Sequence, residues 1–230
     1  MQPNVITIPH GLLKHTALDW GIDWRGQGSG DSTAGVQQVF YNAFPRWVGS
    51  PSVILHGQNV MTWRAVVQAL KGRRNVLRVR MCDMAFGRAE VGLTQSQLSQ
   101  GIPFGGGLMF SNGMGFYADP FCTAVSAVAK GATELDVDIA STGPTPVAPK
   151  QGQIMSVDDL PFDVASVMPL GGTQYRLTTN MPIRTAVEAG GRIMMTGTGL
   201  FFLVDDRTGQ PSYGATRVAT PTIELQEWLR

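Results

Sequence analysis

Charged residues are scarce in this sequence. Its 230 residues include 18 Lys and Arg and 17 Asp and Glu, together 15% of the chain, whereas soluble domains average about 25%. The formal net charge of +1 excludes a general electrostatic attraction to nucleic acid or anionic lipid. Glycine is abundant instead, with 28 residues. Much glycine with little charge favours a turn-rich β protein whose surface is partly covered by neighbouring molecules.

Cysteine and long apolar runs are also scarce. Cys82 and Cys122 are the only cysteines and lie far apart, so we expect free thiols in a reducing compartment. No stretch approaches the roughly 18 apolar residues of a membrane span. The first 30 residues lack the basic start and apolar run of a signal peptide. The sequence therefore predicts no membrane partner and no export by a standard route.

The sequence shows few patterns that are typical of catalytic sites. The three histidines, His10, His15 and His56, show no metal-ligand spacing, and no nucleophile motif is present. His15 lies near Asp19 and Asp23, a combination that could supply a base and its orienting carboxylate. The surrounding residues are more typical of a surface loop. We therefore predict no enzymatic activity, no metal and no cofactor.

One segment predicts a short amphipathic helix over about residues 62–70. Its apolar residues recur at the spacing of one helix face, with Thr62 placed to cap the first turn and Gly72 to end the helix. So short a helix must be held by packing against a sheet. The packing stripe consists of Trp63, Val66, Val67 and Leu70.

Two predicted strands carry opposite charges on one face each. Arg78 and Arg80 alternate with apolar residues directly after the helix, whereas Glu134, Asp136 and Asp138 alternate with apolar residues over 133–139. Pairs inside one chain would add under about 1 kcal/mol each if exposed. Pairs between copies would set register and reject wrong partners. We hypothesise pairing between copies.

The segment 101–117 combines turn-forming glycines with regularly placed aromatics. A phosphate-binding loop would follow a strand, open a helix and often carry a lysine, and this segment shows none of these features. We predict a structured loop pinned by Phe104, Phe110 and Phe116. Long loops in compact domains are usually functional, so we expect this one to contact another protein.

The remaining pattern is that of short strands separated by turns, which predicts a mainly β fold of the sandwich or barrel type. A second short helix is weakly indicated within 118–130. Further predicted strands are 36–48, 52–55, 153–157, 162–168, 174–179, 192–196 and 200–204.

Three segments, residues 62–81, 102–116 and 152–196, carry a family resemblance. They resemble structural proteins from the tail tip of long-tailed, siphovirus-like bacteriophages, especially distal tail or baseplate-type proteins. In that family a Trp-containing helix precedes a strand, and a small β module follows. Gly152, Tyr175 and the triplet Pro182-Ile183-Arg184 stand at the corresponding places of this module.

The resemblance implies an architecture and a role. Residues 1–85 together with 186–230 would form a ring-forming β-sandwich, with 218–225 closing it beside the helix, and 86–185 would be an inserted β module. Copies would form a closed ring, sixfold by analogy, in the virion tail tip after assembly in the host cytoplasm. The ring would join the tail tube protein to hub or receptor-binding proteins and leave a channel for DNA.

Two alternatives stay open. The chain could be another minor tail protein, of the tube or tail-terminator type. It could instead be a carbohydrate-binding β module, because aromatic faces stack on sugars. For that function Trp20, Trp24 and Trp47 would have to line one groove.

Overall fold

The computed structural model describes most of the chain and shows a mainly β protein, as predicted. Among the described residues a single α-helix, α1 (Gln58–Leu70), accompanies the strands. The described residues are 2–8, 12, 14–17, 19–31, 37–40, 45–81, 100–115, 120–140, 147–212, 214–215 and 217–229.

The chain divides into two compact units. Unit 1 comprises Met1–Leu77 and Leu200–Arg230, and unit 2 comprises Arg78–Gly199. Sequence reasoning placed the later boundary at 186. The structure places it at Leu200, because a strand at Arg192–Met194 pairs with two strands of unit 2. The earlier boundary differs as well. It was predicted after residue 85 and lies between Leu77 and Arg78, within a strand at Val76–Arg80.

Among its described residues, unit 1 contains three sheets. Its strands are β1 (Val5–Thr7), β2 (Lys14–Ala17), β3 (Trp20–Asp23), β4 (Gln27–Asp31), β5 (Gln37–Phe40), β6 (Arg46–Gly49), β7 (Ser52–His56), β8 (Val76–Arg80), β15 (Thr198–Leu203), β16 (Val218–Ala219) and β17 (Leu225–Glu227). A six-stranded sheet has the order β1-β8-β15-β17-β6-β3, a three-stranded sheet the order β16-β7-β2, and β4 pairs with β5. The chain crosses between the two units within β8 and β15.

Helix α1 begins earlier than predicted. It starts at Gln58 after Gly57, whose φ is 53° and whose position offers no side-chain cap. Thr62 is therefore not the cap: its Oγ1 donates to the Gln58 carbonyl at 3.2 Å, one turn back. The helix ends where Lys71 adopts a left-handed conformation with φ 51°.

The four residues of the predicted stripe of α1 are buried, and Val60 extends the stripe by one residue. The helix contacts β7 and β1. Full burial of a large apolar side chain stabilises by about 1.5–3 kcal/mol, so this face can hold a helix that would be marginal alone. The buried residues of the helix are Val60, Trp63, Val66, Val67 and Leu70.

Unit 2 contains a closed six-stranded barrel of antiparallel pairs. Its strands are β9 (Phe121–Ala124), β10 (Glu134–Asp138), β11 (Ile154–Val157), β12 (Leu160–Gly171), β13 (Gln174–Thr179) and β14 (Arg192–Met194). The order around the barrel is β10-β13-β12-β11-β14-β9, and pairing of β9 with β10 closes it. Closure gives every strand a partner on both sides, which removes the two free edge strands that an open sheet would have.

The second short helix indicated within 118–130 is wrong where the segment is described, because β9 occupies it. Cys122 and Ala124 are buried while Phe121 and Thr123 are half-buried, a two-residue alternation that suits a strand with one face in the core. Small side chains had made the pattern ambiguous. Pairing with β10 and β14 stabilises the extended conformation.

Candidate interaction surfaces

The acidic row lies on β10 with the predicted alternation. Leu135 and Val137 are buried in the barrel, Glu134 is exposed, and Asp136 and Asp138 are half-buried. Since successive side chains of a strand point to opposite faces, the three carboxylates share the outer face of the barrel.

Asp136 has a partner in the same barrel. It lies opposite Arg176 in the β10–β13 register. The guanidinium donates twice, from Nε to Oδ1 at 2.7 Å and from Nη2 to Oδ2 at 2.9 Å. These hydrogen bonds from Arg176, helped by its positive charge, lower the pKa of Asp136. Sequence reasoning missed Arg176 because strand register is not visible in either segment alone.

The basic row also has partners in its own chain. The guanidinium of Arg78 donates to Asp159 Oδ2, from Nη2 at 2.7 Å and from Nε at 3.1 Å. Asp159 occupies the turn between β11 and β12 with φ 60°. Arg80 Nη2 lies 3.5 Å from Thr196 Oγ1. Pairing of the two charged rows between copies stays a prediction, and it would have to compete with these bonds.

The glycine-rich segment forms a compact loop, here called the apolar loop (residues 100–115). Phe104 and Leu108 exchange backbone hydrogen bonds of 3.0 and 3.2 Å around a 3-10 turn at Gly105–Gly107. The N–H of Phe110 donates to the Met114 carbonyl at 2.8 Å. The rings of Phe104 and Phe110 lie 5.3 Å apart, so these two aromatics pin the loop to itself.

The apolar loop presents large apolar side chains to solvent. Leu108 is 60% exposed, Phe110 47% and Met114 44%. Phe116, the third predicted aromatic of this segment, lies outside the described residues. Large exposed apolar patches commonly mark binding surfaces.

The tryptophans do not form the groove that sugar binding would require. Trp47 is buried at 3% exposure, and its backbone N–H donates to Glu227 Oε2 at 2.9 Å. Trp20 packs against Phe201 with ring centroids 5.4 Å apart, and only Trp24 of the three is largely exposed, at 40%. A buried Trp47 cannot stack on a ligand, so the carbohydrate-binding alternative lacks its predicted site.

The described residues include no candidate metal site. There, no cluster of three or more His, Cys, Asp or Glu side chains is placed to hold a metal ion, and no helix has the length and apolar character needed to cross a membrane. His10 and the side chain of His15 lie outside the described residues, so the combination of His15 with Asp19 and Asp23 has no described geometry. Cys122 is a buried free thiol, and burial raises its pKa to about 12.

Comparison with known proteins adds no identification. No protein-family model matches the chain, and no curated protein matches it. Its function must therefore be inferred from its residues and their geometry.

Proposed function

We propose that this protein is a structural component of a bacteriophage tail tip. Copies of the chain form a closed ring at the distal end of the tail tube. The ring joins the tube to the hub or to receptor-binding proteins and leaves a channel for the passage of DNA. This proposal takes its role from the family that the sequence resembles.

The observation that carries the proposal is the division of the chain into a discontinuous unit and an inserted barrel. Unit 1 is built from both ends of the sequence and contains the Trp63 helix, whereas unit 2 is one continuous segment that runs from within β8 to within β15. The resemblance implies the same order of elements, a ring-forming unit interrupted by a small β module. Fold analogy alone is a weak argument for function, so surface chemistry has to support it.

Surface chemistry supports association rather than catalysis. Only 15% of the residues are charged, while large apolar side chains are exposed in both units, including Met61 at 57% and Leu108 at 60%. Three of them, Leu108, Phe110 and Met114, lie together in the apolar loop, and contiguous exposed apolar patches commonly mark interaction surfaces. Repeated contact between copies would cover them, and a rotation that closes makes a ring.

A direct test is the oligomeric state of the purified chain. Light scattering coupled to size-exclusion chromatography should give a single oligomer mass that is a whole-number multiple of the 24.7 kDa chain mass and larger than one chain. Negative-stain images should show rings with an open centre. A protein that remains a monomer at high concentration would refute the proposal.

A second test locates the protein in intact phage particles. Gold-labelled antibody against this chain should mark the end of the tail distant from the head. Labelling along the tube or at the head end would instead assign it to the tube or terminator class. Particles without label, beside a labelled tube-protein control, would exclude it from the virion.

A further inference from the structure

We propose that neighbouring copies meet through two different apolar surfaces of unit 2, with the apolar loop of one copy docked on the β12–β13 hairpin of the next. This inference rests on the proposed ring and adds a contact of the inserted unit to those of the ring-forming unit. Each copy would offer both a loop and a hairpin.

The loop side of this contact is preorganised. The backbone hydrogen bonds between Phe104 and Leu108 and between Phe110 and Met114 fold the loop on itself. Gly115 closes it tightly, since a Cβ there would lie 2.4 Å from the Ile102 carbonyl oxygen. A loop already folded loses little conformational freedom on binding, which favours its use as an anchor.

The hairpin side is the outer end of the barrel strands β12 and β13. Met168 is 49% exposed and Leu170 is 42% exposed. Pro169 pairs with Tyr175 and Gly171 with Gln174, with a register shift between the two pairs, and Gly171 and Gly172 at the turn have positive φ. The hairpin thus holds two large apolar side chains close to its turn.

The two surfaces carry little charge of their own. Residues 100–115 contain no Asp, Glu, Lys or Arg, and neither do residues 164–175. Arg176 lies opposite Met168 across the strands and is already bonded to Asp136, so contact at the hairpin would meet a neutral pair rather than an unpaired charge, which limits the penalty of removing charge from water. Depletion of charge is also what distinguishes the core of a protein interface from its rim.

The available area suits an anchor within a larger interface. Large side chains have roughly 150–250 Å² of surface each, so five that are about half exposed leave on the order of 450 Å² of apolar surface. A standard interface of about 1,600 Å² has roughly 900 Å² of apolar area. These side chains would thus supply about half of it. The five side chains are Leu108, Phe110, Met114, Met168 and Leu170.

Two unlike surfaces on one chain give the right kind of symmetry. If a patch bound the same patch on a second copy, the result would be a closed dimer. A contact between two different patches instead repeats by rotation and can close into a ring. The inferred contact is of the second kind.

Crosslinking between two single-cysteine variants tests the contact. Leu108→Cys and Met168→Cys would be produced with different tags in a background without Cys82, assembled together and treated with a short bismaleimide. Dimers that carry both tags are expected in the mixture, and no crosslinked dimer is expected with either variant alone. Val125→Cys in place of Met168→Cys is the matched control, because Val125 is also exposed, at 40%, but lies between β9 and β10 of the same unit.

Substitution tests the energetic role of the loop. Leu108→Ser with Met114→Ser should raise the concentration at which rings dissociate by at least tenfold, while Val125→Ser should leave it unchanged. All three side chains are exposed, so the variants should fold, and their circular dichroism should equal that of the wild type.

The outcomes separate this inference from the proposed function. Wild-type rings that give no mixed crosslink and do not respond to the double serine variant would overturn the inference and leave the ring proposal standing. Absence of rings in the wild type would overturn both. A third outcome is that wild-type rings bind neutral phosphatidylcholine vesicles, while the double serine variant forms intact rings that do not bind them. The loop would then be a membrane element, and the inferred contact would be overturned.

Discussion

Replacement of Trp63 by Phe tests the packing that joins α1 to the rest of unit 1. Trp63 is fully buried, and its Nε1 donates to the carbonyl of Gly209 at 2.7 Å. Phe would leave that buried carbonyl without this donor, at a cost of about 1–3 kcal/mol. It would also leave a small cavity where the larger ring had been. We expect Trp63→Phe to lower the free energy of unfolding of unit 1 by about 2–4 kcal/mol.

The matched control is the same exchange at an exposed site of unit 1. Trp24 is 40% exposed, so Trp24→Phe should change the stability by no more than about 0.5 kcal/mol. Urea titration followed by far-UV circular dichroism measures both variants. Because the chain has two units, its unfolding need not be two-state, so hydrogen exchange of α1 peptides should report unit 1 separately.

The result that would refute the reasoning is equality of the two variants. If Trp63→Phe lost no more stability than Trp24→Phe, neither the burial of Trp63 nor its bond to Gly209 would hold α1 in place. The apolar stripe would then pack in some other way. If Trp63→Phe lowered the protection from hydrogen exchange only in peptides of unit 2, the assignment of this helix to unit 1 would be contradicted.

Three further measurements follow from named contacts. Carboxyl ¹³C NMR should show that the pKa of Asp136 rises in Arg176→Gln, because the guanidinium lowers it in the wild type. The lowered pKa stabilises the folded protein fully at pH values above the unfolded-state pKa of about 3.9, and this stabilisation is lost as the pH falls through the folded-state pKa. Cys122, with a pKa near 12, should resist iodoacetamide at about pH 8 until urea unfolds the chain. Gly49→Ala should lower thermal stability by more than about 1 kcal/mol, because its Cβ would lie 2.3 Å from an aromatic ring atom, whereas Gly214→Ala, with nothing within 4 Å, should not.

Each of these three has a clear contrary result. An unchanged Asp136 titration in Arg176→Gln would mean that the two side chains do not bond in solution. Rapid alkylation of Cys122 in the folded protein, in a variant that lacks the other cysteine, would mean that the barrel opens. Equal stability of Gly49→Ala and Gly214→Ala would mean that the close approach to Gly49 is relaxed.

Local pattern predicted several elements well. The alternation that predicted a strand over 133–139 appears as β10, and the segment 174–179 matches β13 at both ends. Both depend only on neighbouring residues, because a strand buried on one face alternates with period two. Thr62 misled the prediction of the helix start, since a residue typical of caps also occurs inside helices.

Long-range pairing could not be read from the sequence. The Asp136–Arg176 pair joins residues 40 apart, and Glu227 accepts from the backbone of a residue 180 positions away. Barrel closure likewise depends on β14, a three-residue strand that pairs with both β9 and β11. Register is set by the sum of many side-chain contacts, so a short segment does not reveal its partner. The unit boundaries moved for this reason.

The placement of charges decides which surface can bind copies strongly. Arg78 and Asp136, taken from the sequence as two complementary rows, each bond to a residue of their own chain. Pairing them between copies would break those bonds before new ones form, so the net gain would be small, and exposed pairs are weak in any case. The rows can still set register and reject wrong partners. In the proposed ring, strength would then come from apolar surface, which the loop and the hairpin of unit 2 expose.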